Sequence, residues 1–148
     1  FSITPHDDIR TAQYKNMICS QNLIKKLLAE YKEGNISVRT DSKDFDSWYN
    51  KRTAADGKID FHGRTREIYN LIRGVAAPFP GAFAYVGEEK VTVWEAQPFD
   101  EMIDFSAYAP GEVIDVFDGH PIVRTVDGSL LIKKYESAKE LQAGDVLA

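Results

Sequence analysis

The stretch that most constrains the fold is residues 68–83, IYNLIRGVAAPFPGAF. Its first half carries apolar residues at the spacing of one helical face, and these residues are Ile68, Leu71, Ile72 and Val75. Pro78 and Pro80 lack the amide hydrogen that a helix needs and restrict the residues before them to extended backbone. Gly81 then lets the backbone turn. This pattern predicts a helix over 64–75, then an elbow at residues 76–81, then β-structure.

The first 35 residues predict one long helix, which we place over residues 8–32. Residues 1–4 are typical of a strand end, and Thr4 followed by Pro5 and Asp7 is typical of a helix start. Gly34 and Asn35 are suitable stop residues. One side of the helix is apolar, and its residues are Ile9, Ala12, Cys19, Leu23 and Leu27, flanked by Ile24, Leu28 and Tyr31. Because one helix and a strand end cannot form a core, we expect this helix to cover a sheet in a missing amino-terminal portion.

From residue 82 the apolar period changes to two, which predicts β-strands. The expected strands are residues 83–86, 90–96, 113–117, 122–125 and 129–133, with a short last strand at 145–147. Turn residues separate them, as in Asp118-Gly119 and Asp127-Gly128. The predicted class is therefore α+β, with a helix followed by a small barrel or sandwich.

Composition bounds the location and the partners of the chain. A length of 148 residues suits one domain, perhaps with a fragment of another. The single cysteine excludes an internal disulfide and indicates a reducing, cytoplasmic location. We find no apolar run long enough to span a membrane and no signal peptide pattern, so no membrane partner is expected. Residues 90–148 hold 5 Lys+Arg against 11 Asp+Glu, and this net charge of −6 makes nucleic acid an unfavourable partner.

Residues 35–62 are a predicted linker in which Trp48 and Tyr49 are adjacent aromatic residues. The aromatic side chains have two interpretations. They anchor the linker to the protein surface, or they form a wall of a substrate cleft. Trp48 is thus a candidate substrate-binding residue.

Three further residues are candidates for substrate binding. Arg52 and Arg73 could each bind a phosphate or carboxylate through a bidentate guanidinium. Either could equally cap backbone carbonyls or pair with Asp56 or Asp60. Phe79 could stack on a ligand ring or pack in the core.

Other kinds of chemistry find no support in the sequence. The three histidines, His6, His62 and His120, have no partner at metal-ligand spacing, and we expect surface positions for them. No glycine-rich phosphate-binding motif occurs. The residues alone therefore predict no metal site and no self-sufficient catalytic constellation.

Four stretches carry a family resemblance: RTAADGKIDF (52–61), EIYNLIRGVAAP (67–78), PFPGAFAYVGEEKVTVWEA (78–96) and PGEVIDV…GHPIVRTVDGSLLI (110–132). Together they resemble the carboxy-terminal part of the folate-dependent formyltransferases. That family includes methionyl-tRNA formyltransferase and the sugar N-formyltransferases, such as the aminoarabinose formyltransferase of lipid A (lipopolysaccharide) modification. Residues 1–32 resemble the last strand end and helix of the family's Rossmann-like catalytic domain.

The resemblance implies that the chain consists of three parts. Residues 1–34 would be the tail end of the catalytic domain, residues 35–62 a linker, and residues 63–148 a helix plus a small open β-barrel of the oligonucleotide-binding type. The implied reaction is formyl transfer from 10-formyltetrahydrofolate to an amine. The family's catalytic Asn, His and Asp lie in its amino-terminal domain, and no position here matches that motif. We therefore assign no catalytic residue, expect the missing domain to bind the folate, and expect this chain alone to be inactive.

The expected acceptor is an amino-sugar nucleotide. The acidic second half and the short ending after Lys133 and Lys134 favour a sugar amine over tRNA. The sequence of VAAPFPGAFAYVG is also closer to that of the aminoarabinose enzyme than to that of the tRNA enzyme. A methionyl-tRNA formyltransferase and a non-catalytic interaction module remain as alternatives. The sequence does not predict an oligomeric state.

Overall fold

A computed structural model describes residues 1–35 and 50–148. The chain divides into two compact units, Phe1–Arg52 and Thr53–Ala148. Trp48 and Tyr49 lie outside the described residues.

The described residues of the first unit form one helix, α1, which spans Ile9–Lys32. The Asp8 carboxylate caps it by accepting the Thr11 amide at 2.8 Å, and the Thr11 hydroxyl accepts the Asp8 amide at 3.0 Å. At the other end, the amide of Asn35 donates to the Glu30 carbonyl at 2.9 Å across Gly34, whose φ is +72°. The bounds predicted for this helix are therefore confirmed.

The predicted details before α1 were wrong. Thr4 does not cap the helix, because its amide and hydroxyl both donate to Asp7 Oδ2, at 2.7 and 2.9 Å, and close a separate turn. The capping site consequently moves to Asp8. Residues 1–4 contain no strand.

The apolar side of α1 lies on the surface of the described structure. No residue of α1 is buried. Leu23 and Leu27 keep 66% and 53% of their surface exposed, and Ile9 is half-buried. In the described part of the chain, neither helix combines the length and the hydropathy that crossing a bilayer requires.

The second unit is a helix on an antiparallel sheet. After a short 3₁₀ turn, Ala54–Gly57, helix α2 spans Thr65–Val75. The strands that follow are β1 (Ala82–Val86), β2 (Glu89–Asp100), β3 (Val113–Phe117), β4 (His120–Arg124) and β5 (Ser129–Glu136). Their order in the sheet is β1-β2-β5-β4-β3. The α+β class and the predicted helix are thus confirmed.

The observed strand bounds differ from the predicted bounds in two ways: two strands end later, and one strand begins earlier. Strands β2 and β5 run on to Asp100 and Glu136, because they pair antiparallel from Thr92 opposite Glu136 to Asp100 opposite Ser129. Strand β4 begins at His120, since Asp118 and Gly119 form a two-residue turn with φ of +52° and +79°.

The last residues of the chain hydrogen-bond to both edge strands of the sheet. The Val113 amide at the start of β3 donates to the Asp145 carbonyl at 2.8 Å, and the Leu147 amide donates to the Gly111 carbonyl at 2.8 Å. Ala148 and Tyr85 of β1 exchange two backbone bonds, both of 2.8 Å. The short strand predicted at 145–147 is seen as a bridge between Glu112 and Val146.

The core of the second unit lies between α2 and the sheet. Ile68 and Ile72 of α2 are buried, whereas Leu71 and Val75 on the same face are half-buried at its margin. The core residues contributed by other segments are Ile59, Phe61, Ala82, Ala84, Val91, Val93, Val113, Val123, Leu130, Ile132, Leu141 and Leu147. The helical face predicted by the apolar spacing is therefore the face that packs.

The elbow brings the chain from α2 into β1 through a close backbone approach. The Gly81 amide donates to the Val75 carbonyl at 3.0 Å. A Cβ at Gly81 would lie 2.8 Å from Thr92 Cγ2 and 2.9 Å from the Trp94 ring, and its φ is +84°. Only glycine fits this position without moving the side chains of Thr92 and Trp94.

Candidate functional site

The amino terminus of α2 is fixed by a partly buried polar network. The Thr65 amide and hydroxyl donate to Asp127 Oδ1 at 2.7 and 2.8 Å, and the Thr65 and Thr125 hydroxyl oxygens lie 2.6 Å apart. The Thr65 amide is the main reason why the pKa of Asp127 lies below its usual value. A carboxylate at this end also suits the helix dipole. The network therefore joins α2 to the turn between β4 and β5.

Arg124 holds that same turn. Its Nε donates to the Phe105 carbonyl at 3.1 Å, and its Nη1 donates to the Gly128 carbonyl at 2.8 Å and to the Thr125 carbonyl. Its Nη2 donates to the Val126 carbonyl at 3.3 Å. The guanidinium is thus used to satisfy backbone carbonyls, and it gives α2 a rigid support.

The surface of α2 carries two arginines on one aromatic ring. The guanidinium carbons of Arg66 and Arg73 lie 5.6 and 5.4 Å from the centre of the Tyr69 ring. Arg66 precedes Tyr69 by three residues and Arg73 follows by four, the spacings at which helical side chains meet. The Nε of Arg73 also donates to Asn70 Oδ1 at 2.9 Å. We call Arg66, Tyr69 and Arg73 the arginine–tyrosine triad.

The triad includes one of the four residues that the sequence singled out. Arg73 is half-buried in the triad, and Phe79 lies in the elbow that follows the same helix, with 45% of its surface exposed. Arg52 is exposed and ends the first unit. Trp48 lies outside the described residues. The substrate-binding roles of all four residues stay predictions.

The structure also bears on the purely structural roles considered for Phe79 and the arginines, namely core packing and pairing with Asp56 or Asp60. Phe79 is not among the core residues, so its packing interpretation loses support. Asp56 accepts the amide and hydroxyl of Thr53, and Asp60 accepts the amide of His62 at 2.9 Å. Arg73 donates a hydrogen bond to Asn70 of the same helix.

A second feature is a half-open cleft of about 380 Å³. It forms where two segments meet on the outer edge of β1: the Ile59 amide donates to Phe83, and Ala148 pairs with Tyr85. Its lining residues are Lys58, Ile59, Asp60, Phe61, His62, Pro110, Val146, Leu147 and Ala148. The sequence did not predict this cleft, because its two walls are far apart in the chain.

The polar wall of the cleft is exposed. His62 Nδ1 lies 3.2 Å from Asp60 Oδ1, and the His62 side chain is 78% exposed, so His62 is a surface residue, as expected. The His62 amide is the main cause of the lowered pKa of Asp60. Phe61, the aromatic residue in the lining, is only 3% exposed and offers no face for stacking a pteridine. Phe61 therefore gives the cleft no stacking surface for a folate.

No metal centre is found within residues 1–35 and 50–148, since these residues contain no group of three ligand-type side chains that could hold an ion. Fold and surface together define a small α+β domain that presents a basic and aromatic helix. Residues 51–148 match the family described as formyl transferase, C-terminal domain. This match covers well over half of the chain, so the chain belongs to that family.

The fold also resembles solved structures of HypX from Aquifex aeolicus. A variant with four substitutions has a TM-score of 0.67 at 20% identity, over 94% of this chain and 24% of that chain. A double variant gives 0.65 at 20% identity, also over 94% and 24%. HypX in complex with tetrahydrofolic acid gives 0.56 at 22% identity, over 76% and 19%. These likenesses show a shared fold. The chain spans about a quarter or less of the HypX chains that it matches.

Proposed function

We propose that this chain is the carboxy-terminal portion of a longer N-formyltransferase that uses 10-formyltetrahydrofolate and acts on an amino-sugar nucleotide. The acceptor amine gains the formyl group and loses a proton, and tetrahydrofolate leaves. Membership in the formyl transferase C-terminal domain family supports this proposal. So does the likeness in fold to HypX, a structure of which contains tetrahydrofolic acid.

In this proposal the chemistry takes place on other residues of the longer protein. The family's catalytic Asn, His and Asp have no counterpart in this sequence. The buried Phe61 gives the described cleft no stacking surface for a folate, which supports a donor site elsewhere. The second unit then serves as the oligonucleotide-binding-type barrel of the enzyme, and its task is to bind and position the acceptor.

The proposal gives the first unit a role as well. Residues 1–34 are the end of the catalytic domain, and α1 lays its apolar side on that domain's sheet. The exposed Leu23 and Leu27 support this role, because their burial elsewhere in the longer protein removes apolar surface from water. The matches that extend over 94% of the chain and 24% of HypX also support a segment of a larger whole.

The charge of the second unit is the observation that carries the choice of acceptor. Residues 53–148 hold 9 Lys+Arg against 16 Asp+Glu, a net charge of −7. A tRNA-binding surface needs many Lys and Arg side chains to neutralise the phosphates of the RNA. A sugar nucleotide carries only two phosphate groups. The balance therefore favours the smaller anion.

The test is a formyl-transfer assay on the full-length parent protein. A 4-amino sugar nucleotide with 10-formyltetrahydrofolate should yield the N-formyl product, detected by mass spectrometry. Charged initiator tRNA is the competing acceptor in a parallel reaction. Turnover of tRNA without turnover of any amino-sugar nucleotide would contradict the proposal. Turnover of no amine at all would support the interaction-module alternative.

A further inference from the structure

We infer that the loop between β2 and β3 docks on the catalytic domain of the longer parent protein, on residues that precede Phe1. The inference rests on the proposed function, from which it takes its partner, and goes beyond it by assigning the docking surface to residues 99–108 of this chain. The apolar surface of the loop, its ordered backbone and its charge support this docking.

Large apolar side chains are exposed along residues 99–108. Met102 keeps 91% of its surface exposed and Ile103 keeps 52%. Phe99 and Tyr108, on either side of them, are exposed as well. Single exposed apolar residues are ordinary, whereas several on one short segment are typical of a docking surface. We call Phe99, Met102, Ile103 and Tyr108 the loop patch.

Hydrogen bonds order the backbone that carries the loop patch. The Asp100 carboxylate accepts the amides of Met102 and Ile103, at 2.7 and 2.6 Å. Further along, the Arg124 guanidinium donates to the Phe105 carbonyl at 3.1 Å and so ties the loop to β4. The patch is therefore held in place before any partner arrives, and little conformational entropy is lost when it docks.

The charge of the loop favours a basic partner. Residues 99–112 contain four acidic residues and no Lys or Arg, and the acidic residues are Asp100, Glu101, Asp104 and Glu112. Two copies of this loop repel each other, and the loop also repels RNA and an anionic membrane surface. In the proposed function the catalytic domain binds a folate, whose carboxylates require cationic side chains on that domain. The acidic loop is therefore complementary to the catalytic domain in charge.

The size of the proposed parent favours the same partner. The fold match covers 94% of this chain but only 24% of the HypX chain, so in a parent of similar length most of the polypeptide lies outside this chain. A partner on the same polypeptide is present at a high effective concentration. A patch of a few side chains is then sufficient for docking, which it would not be for a free partner.

The experiment follows the oxidation of Met102 by hydrogen peroxide, which adds one oxygen atom to the sulfur and leaves water. Peptide mass spectrometry measures the rate in this chain and in the full-length parent. Met102 should react in this chain nearly as fast as free methionine, because its side chain is exposed. In the parent the rate should fall about 10-fold or more, since a docked loop reacts only while it is open. Glu88→Met places a control methionine in the exposed turn between β1 and β2, and it should react equally fast in both proteins.

Two substitutions in the parent test the nature of the contact. Ile103→Ser removes apolar surface from the loop patch, and Glu101→Lys reverses one acidic charge beside it. Each should raise the oxidation rate of Met102 towards the rate in this chain. Glu140→Lys reverses an exposed charge outside the loop and should leave the rate of the parent unchanged. Thermal unfolding of each variant checks that the fold is intact.

The outcomes separate the inference from the proposed function. Equal Met102 rates in the two proteins, in a parent that formylates an amino-sugar nucleotide, overturn the inference and leave the function in place. Protection that Ile103→Ser and Glu101→Lys both keep also overturns it. Protection in this chain alone that grows with protein concentration overturns it in favour of a second copy. A parent that formylates no amine overturns the proposed function, and protection of Met102 that the two variants lose still supports docking on the preceding residues.

Discussion

Thr65 and Asp127 are 62 residues apart in the sequence, yet the Thr65 amide and hydroxyl both donate to one oxygen of the Asp127 carboxylate, at 2.7 and 2.8 Å. The contact joins the first residue of α2 to the β4–β5 turn. The helix that carries the triad is therefore positioned by a bond to a residue that is distant in the sequence.

Asp127→Ala should destabilise the second unit by about 1 kcal/mol, the usual cost of losing a capping side chain. It also leaves the buried Thr65 hydroxyl with one partner fewer. Urea unfolding of the chain measures the effect. Asp118→Asn is the matched control, because Asp118 lies in an exposed turn with φ of +52° that asparagine also adopts. Equal unfolding midpoints for the two variants would show that the cap adds nothing.

The same carboxylate predicts a dependence of stability on pH. Its pKa is lower in the folded protein than in the unfolded chain, mainly because of the Thr65 amide. A lowered folded pKa gives stability that is fully present above the unfolded value of about 3.9 and is lost as the pH falls towards the folded value. The gap in unfolding free energy between the wild type and Asp127→Asn should thus be constant from pH 8 to about pH 5 and shrink below about pH 4. Denaturant titrations across this range measure the gap, and a constant gap down to the lowest pH that permits folding would contradict the prediction.

Gly111 and Gly119 offer a comparison between two kinds of glycine. Both have positive φ, of +88° and +79°, but a Cβ at Gly111 would lie 2.2 Å from the Leu147 carbonyl oxygen, whereas at Gly119 nothing lies within 4 Å. Gly119→Ala should cost about 1–2 kcal/mol through backbone strain. Gly111→Ala should cost more, because the alanine also separates residues 144–148 from β3.

Urea unfolding compares the two glycine variants, and amide hydrogen exchange locates the damage. The amides of Val113 and Leu147 form the hydrogen bonds between the last residues of the chain and the start of β3. In Gly111→Ala these two amides should lose protection from exchange. In Gly119→Ala they should keep it. Similar stability and similar protection in both variants would mean that the last residues do not support the sheet.

The sequence was sufficient for features that depend on local spacing. The apolar positions Ile68 and Ile72 predict the buried face of α2 because helical period is a local property. The strand positions follow from turn residues in the same way. The start of β4 was missed because a two-residue turn uses Asp118 at positive φ, a conformation that the sequence only permits.

Features that join distant segments could not be predicted. Nothing in the sequence around Thr65 or Asp127 indicates that they meet, and the cleft beside His62 depends on a wall from the end of the chain. The triad is an intermediate case. Arg73 was singled out alone, although its spacing from Tyr69 and Arg66 was a usable signal.

The exposed side of α1 gives a prediction about the longer protein. Leu23 and Leu27 are 66% and 53% exposed in this chain, so Leu23→Ser and Leu27→Ser should change its unfolding free energy by less than about 0.5 kcal/mol each. In the full-length parent, where we propose that these side chains are buried against a sheet, each substitution should cost about 2 kcal/mol or more. Ser20→Ala, at an exposed polar position of the same helix, is the control for both proteins. The comparison isolates burial, since the same substitution is made in the same helix and only the rest of the polypeptide differs. If the leucine variants leave the parent as stable as the control does, α1 does not pack on a catalytic domain, and the role proposed for the first unit is wrong.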